Sequence, residues 1–281
     1  METQILTENM IQKYYSYLQN EEKSKATIEK YMRDVKKFYF SLDNIEVTKE
    51  CVIAYKNELI SSNYAIRSVN SMIASLNSFF EFLGWSNCKI KTIKFQRQVY
   101  CSEEKELTKA EYIRLVYTAK QNNNERLSLI LQTICGTGIR VSELKYITIE
   151  AIKNGQAIVS GKGKIRQVFI VKELRKKLMH YAKKNNIKTG MLFITRNGNP
   201  ICRTNIWREM KNLCIQAGVN PNKVFPHNLR HLFARTFYRI EKDIVKLADV
   251  LGHTSINTTR IYTISAGNEH RECMENMRLI V

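Results

Sequence analysis

The sequence predicts a mainly α-helical protein with one small antiparallel β-sheet. Three observations lead there. Apolar residues recur at three- and four-residue intervals through most of the 281 positions, the period of helices with one buried face. Thr, Ser and Asp stand repeatedly just ahead of those stretches and Gly just behind them, where helix ends need partners for unpaired N–H and C=O groups. One segment breaks the pattern: two short β-branched runs flank the turn Gly161-Lys162-Gly163-Lys164.

Residues 7 to 83 read as four helices. Thr7 caps the first, which runs into Tyr17 and Leu18. Ser24 opens the second, with Ile28, Tyr31, Met32, Val35, Phe38 and Tyr39 in helical register. Thr48 opens the third, carrying Val52, Ile53, Tyr55 and Leu59. The fourth holds Ile66, Val69, Met72, Ile73, Leu76, Phe79, Phe80 and Leu83, with Gly84 as its stop. These stripes are core. The opposite faces carry Lys23, Lys25, Lys30, Arg33, Lys36, Lys37 and Arg67, either a solvated surface or a set of phosphate contacts. Lys89 to Gln98 is basic, lacks an acid and alternates weakly, so it reads as an extended linker, a flexible strap able to cross a phosphate backbone with Lys89, Lys91, Lys94 and Arg97. The domain expectation is therefore 1–88, a linker at 89–106, and 107–281.

The second domain opens at Leu107 with the capping box Thr108 to Glu111. A helix from Leu127 to Cys135 stops at Gly136-Thr137-Gly138, and Arg140 to Leu144 begins another helical piece. Strands follow at Ala157–Val159 and Val168–Val171, then helices at Lys172–Lys184 and Arg203–Ala217, one from Pro226, and one over Asp243–Leu251. Gly252 reads as a C-cap, with Thr254 or Ser255 capping the next turn. In the tail, 272–281, Met274, Met277, Leu279, Ile280 and Val281 form an apolar stripe that needs cover.

Composition narrows the function. Lys and Arg total 45 against 26 Asp and Glu, a net charge of +19, which favours a polyanionic partner, most often nucleic acid. The seven cysteines include no C-x-x-C pair, so neither a disulfide framework nor a zinc ribbon fits, and reduced thiols in a cytoplasm do. No apolar run reaches membrane-spanning length, and the N-terminus lacks the basic start and apolar centre of a signal peptide.

Four segments carry candidate chemistry. In Pro226-His227-Asn228-Leu229-Arg230-His231 the two histidines share a helix face. Zinc proteases use that spacing but place Glu after the first His, where Asn228 stands here, so no metal is expected. His227 and Arg230 instead sit at the positive end of a helix, where an anion is favoured. Gly136 to Leu144, GTGIRVSEL, offers Arg140 as a phosphate fork with Glu143 one turn on, or simply a solvated helix start. Gly161 to Lys164 is not a Walker loop; it is a solvated hairpin tip or a lysine delivered to a reaction centre. In Leu251-Gly252-His253 and Tyr262, the histidine can be a turn residue and the tyrosine a helix residue.

Taken together, GTGIRVSEL, the GKG hairpin, HNLRH, LGH and a Tyr nine residues after that His resemble, in order and spacing, the active site of the tyrosine recombinase/integrase family, nearest to its small Xer-like and mobile-element members. No departure falls on a catalytic position, and no arm-binding domain is expected ahead of the first helix. The resemblance implies a helical core-binding domain followed by a mixed α+β catalytic domain. It implies site-specific cutting and rejoining of double-stranded DNA through a 3′-phosphotyrosyl ester, without metal or cofactor. Tyr262 would be the nucleophile; Arg140, Arg230 and His253 would hold the phosphate; His227 would act as base. Lys162, with Lys164 as fallback, would protonate the leaving 5′ oxygen, and Glu143 would support from behind. His231 would be a structural, core histidine. Four protomers would assemble on two sites, with the tail docked on its own chain or on a neighbour and a directionality factor as a further candidate partner. The alternatives are a type IB topoisomerase-like relaxing enzyme and a non-catalytic DNA-binding regulator.

Overall fold

In the computed structural model, which describes residues 4–42, 46–94, 106–161, 164–195, 197–262 and 275–277, the chain divides into two units, Met1–Arg97 and Gln98–Val281. The first unit packs α1 (Glu8–Asn20), α2 (Lys25–Phe40), α3 (Lys49–Ser61) and α4 (Ile66–Phe82) around one core. Thr7, Ser24 and Thr48 cap α1 to α3, each hydroxyl accepting from an N–H of the first turn. The aromatic centre is fully buried: Tyr14, Phe38, Phe79 and Phe80, with Phe38 meeting Phe80 edge-on at 5.9 Å.

The basic stretch after α4 is not loose where it starts. Asn77 both donates to the Ile90 carbonyl (2.9 Å) and accepts from its N–H (3.1 Å), and Asn70 does the same for Ile93 (2.9 and 2.8 Å). Seven helical residues rise about 10.5 Å and three extended ones span about 10 Å, so two amides spaced two turns apart on α4 match every third residue of an extended chain. Ile90 is buried as a result. The flexibility expected of the strap thus does not extend to residues 89–94; residues 95–105 lie outside the described set.

The second unit is built on α6 (Glu125–Thr137), where Leu127, Leu129, Ile130, Leu131 and Ile134 are all buried; a helix apolar on every side belongs in a centre. Packed on it are α5 (Lys109–Gln121), α8 (Lys172–Lys184), α9 (Arg203–Gln216) and α10 (Pro226–Glu241). The capping box at Thr108 forms in both directions. Gly138, at φ +67°, ends α6, and a 3-10 turn, Val141–Tyr146, follows. A two-turn helix absent from the sequence reading, α7 (Ile149–Asn154), leads into the antiparallel pair β1 (Gln156–Gly161) and β2 (Lys164–Phe169). β2 stops two residues earlier than read, because Ile170 donates to the Gly155 carbonyl and Val171 already caps α8. α11 (Ile244–Leu251), α12 (Ile256–Thr259) and the turn Arg260–Tyr262 complete the described part. Of the tail stripe only Met277 is described, half-exposed; the docking expectation otherwise lies outside the described residues. Among the described residues no helix is long and apolar enough to cross a membrane.

Candidate active site

One half of the site is organised by Glu143. Its carboxylate is buried and accepts four N–H groups: Arg140 backbone (2.7 Å), Arg140 guanidinium (2.9 Å), and both terminal nitrogens of Arg166 (2.9 and 2.8 Å). Burial works against this charge, but the Arg166 fork and the Arg140 N–H outweigh it and hold the carboxyl down at about 2. Arg140 keeps 44% of its side chain exposed, toward an open cleft of about 610 Å³ that Gly161, Arg166, Gly252 and His253 also line.

The other half sits on α10 and the turns beyond α11. Arg230 is the largest fully buried side chain. It donates to the carbonyls of Gly138 and Leu251 (2.8 Å for the latter), to His253 Nε2 at 3.1 Å, and is hydrogen-bonded to Tyr262. Those carbonyls stand at the buried C-terminal ends of α6 and α11, so two helix C-termini aim their negative poles at one guanidinium. Burial and then Arg140 still push Arg230 down to about 10. Because arginine only donates, His253 Nε2 accepts, and Nδ1 carries the proton that is given to Thr259 Oγ at 2.8 Å.

Tyr262, 3% exposed, lies parallel to His253 (centroids 5.9 Å apart) and edge-on to His231 at 4.7 Å; His231 in turn meets His227 at 4.6 Å. Burial first, and the surrounding guanidinium groups second, hold His253 at about 4. Burial, His227 and Arg230 hold His231 at about 4, and His227 is lowered in the same sense. All three rings are therefore neutral at pH 7.

The fold thus gathers Arg140, Glu143, His227, Arg230, His253 and Tyr262 from three separated segments. His231, read as a core residue, instead stands between His227 and Tyr262: the i, i+4 spacing puts both histidines on one face of α10, and the Tyr262 turn crosses it. Lys162 lies outside the described residues, and Lys164 pairs with Gly161 at the start of β2. In the first unit Lys89 is paired with Glu81, Lys91 and Lys94 are exposed, and Arg97 lies outside the described set. Two site residues escaped the sequence reading. Arg166 had a signal, since alternation with Val168 and Ile170 put a cation on the buried face of a strand. Thr259 had none.

Comparison with known proteins finds matches to both parts of the chain. Residues 105–269 match the Phage integrase family, and residues 11–87 match the Phage integrase N-terminal SAM-like domain. Tyrosine recombinase XerA of Pyrococcus horikoshii is 32% identical over 99% of this chain and 96% of its own length. A crystal structure of XerA recombinase aligns over 98% of this chain and all of its own, at 26% identity and a TM-score of 0.54. A lambda integrase tetramer bound to a Holliday junction aligns over 90% of this chain and 76% of its own, at 18% identity and a TM-score of 0.73. The chain belongs to the phage integrase family, and it is a tyrosine recombinase, an enzyme of DNA strand breakage and rejoining.

Proposed function

We propose that the chain recombines duplex DNA at specific sites through a covalent ester on Tyr262. The observation that carries this reading is the junction of Arg230, His253 and Tyr262: a buried guanidinium, a neutral imidazole and a phenol in mutual contact, with His253 also lining the cleft that Arg140 faces. Tyr262 Oη attacks the phosphorus, the bond to the 5′ oxygen breaks, and that oxygen takes a proton from the hairpin lysine, Lys162. The phenolic proton passes to the histidine pair on α10, where His231 is nearer the ring than His227. Arg140 and Arg230 neutralise the charge that builds on the non-bridging oxygens. His253 Nε2 accepts from Arg230, so to donate to a phosphate the ring must take up a second proton or shift its proton from Nδ1 to Nε2, with Thr259 Oγ then donating to Nδ1. Tyr262 must also leave its ring stack to reach the phosphorus, since it is 3% exposed. The protein works in the cytoplasm as four protomers on two DNA sites, as the lambda integrase tetramer holds a Holliday junction.

The test is a nicked duplex that traps the ester. Wild-type protein forms an SDS-stable adduct and Tyr262→Phe forms none. Exchange between two sites, rather than relaxation of a supercoiled plasmid alone, marks a recombinase. Binding without adduct on a duplex that the protein selects from a random pool would make it a DNA-binding regulator instead.

A further inference from the structure

Arg166 occupies a position that neither the mechanism nor the motifs explain. It comes from β2, directly opposite the buried Val159, and only 13% of its side chain is exposed. Its two terminal nitrogens are both spent on Glu143, while its buried Nε has no partner. An arginine buried at that cost to its own hydrogen bonding is held for what its fork does. Its stem fills a second role. Gly252 has φ +66°, and a Cβ there would lie 2.6 Å from Arg166 Cδ, so the stem lies flat against the backbone that delivers His253. One side chain therefore touches both phosphate-facing halves of the site: through Glu143 it reaches Arg140, and through Gly252 it reaches the His253 turn.

We propose that Arg166 is a positioning residue, whose fork keeps Glu143 ionised and aimed so that Arg140 faces the cleft, and whose stem fixes the distance from Arg140 to the His253 turn. This rests on the reading above that Arg140 and His253 hold the scissile phosphate. The charge balance supports it. Glu143 is a buried carboxylate beside Arg140, whose own guanidinium is partly in water, and burial alone drives a carboxyl to hold its proton. Without Arg166 the carboxyl rises to the ordinary range or above it. A protonated Glu143 accepts fewer N–H groups and releases Arg140.

The consequence is a pH signature that a merely structural residue would not show. Sequences recovered as wild-type adducts from a randomised pool of nicked duplexes serve as the probe; a pool yielding no wild-type adduct would overturn the parent reading and this one with it. On that probe, Arg166→Met is expected to slow single-turnover cleavage about tenfold to a hundredfold with DNA affinity within about twofold. The deficit should widen as pH falls from about 7 toward about 4.5, because without the Arg166 fork Glu143 takes up a proton as the ordinary carboxylate range is approached. Arg166→Lys keeps the charge without the fork. It should recover part of the rate and lose the pH dependence, which keeps the test open should Arg166→Met fold poorly. Wild-type cleavage by Arg166→Met at every pH, or a pH-independent loss that tracks melting temperature or DNA affinity, would overturn the proposal while leaving the Tyr262 chemistry in place.

Discussion

Each unit holds cations over a cleft by means of a buried carboxylate, and the two do so differently. In the first unit a cleft of about 590 Å³ is lined by Lys30, Arg33, Lys37 and Arg67, and its acid is Asp34. Asp34 accepts from Ser75 (2.9 Å) and pairs with Lys30 (2.9 Å), its neighbour one turn earlier on α2. The acid and the cations there come from two helices, α2 and α4, and the cations reach water: the Arg33 side chain is 73% exposed. In the second unit the acid is Glu143, its partners come from a 3-10 turn and a strand, and the deepest cation, Arg230, is 1% exposed. The first arrangement supplies charge along a surface, which suits a phosphate backbone with no fixed register. The second supplies a fixed geometry at one point, which is what a transition state requires.

The contrast can be broken or sharpened by experiment. The largest effect is expected from Arg230→Met. It leaves the Gly138 and Leu251 carbonyls without a donor, so cleavage should fall about a thousandfold and stability by about 3 kcal/mol; adduct formation and chemical denaturation read the two separately. No substitution in the Lys30–Arg67 cleft should approach that loss of rate at saturating DNA.

Acid should separate the units next. His231 and His253 stay neutral down to about 4 in the folded chain, whereas the unfolded chain protonates them near 6.5. Between those values the unfolded state binds more protons, so the stability of the second unit should fall as pH drops from about 6.5 to about 4. Residues 1–97 contain no histidine. Hydrogen exchange on the whole chain should then show the second unit opening over this range while α1 to α4 keep their protection.

Two glycines test packing. Gly84 and Gly138 both have positive φ, but a Cβ at Gly84 meets nothing within 4 Å, whereas at Gly138 it lies 2.5 Å from the Phe233 ring. Gly84→Ala should cost about 1 kcal/mol and Gly138→Ala about 3 kcal/mol, the same backbone term plus overpacking. The smallest effect is expected from Lys37→Ala. It removes one surface cation, stacked over Tyr64, and should lower the salt slope of DNA binding by about 1 while cleavage at saturation is unchanged.

How much of this was legible in advance depends on the range of the interaction. The caps at Thr7, Ser24, Thr48 and Thr108 and the stop at Gly138 act within one turn, and each stands where the residues put it. The tie between α4 and residues 89–94 was hidden, since Asn70 and Asn77 look like surface amides until an extended chain lies across them. α7 was too short to show a period. Arg166 was visible as a cation on a buried strand face, but its partner is 23 residues away and nothing in the spacing names it.

The sequence alone determined the mainly helical class, the single hairpin, the basic charge and the set of residue types that cutting a phosphodiester requires, because periodicity, capping and chemical type are local properties. Only the tertiary structure decided that Glu143 serves two arginines, that His231 stands between His227 and Tyr262, and that the ends of α6 and α11 meet on Arg230. Those facts depend on which distant backbone groups burial leaves without water, and that is known only once the helices have packed.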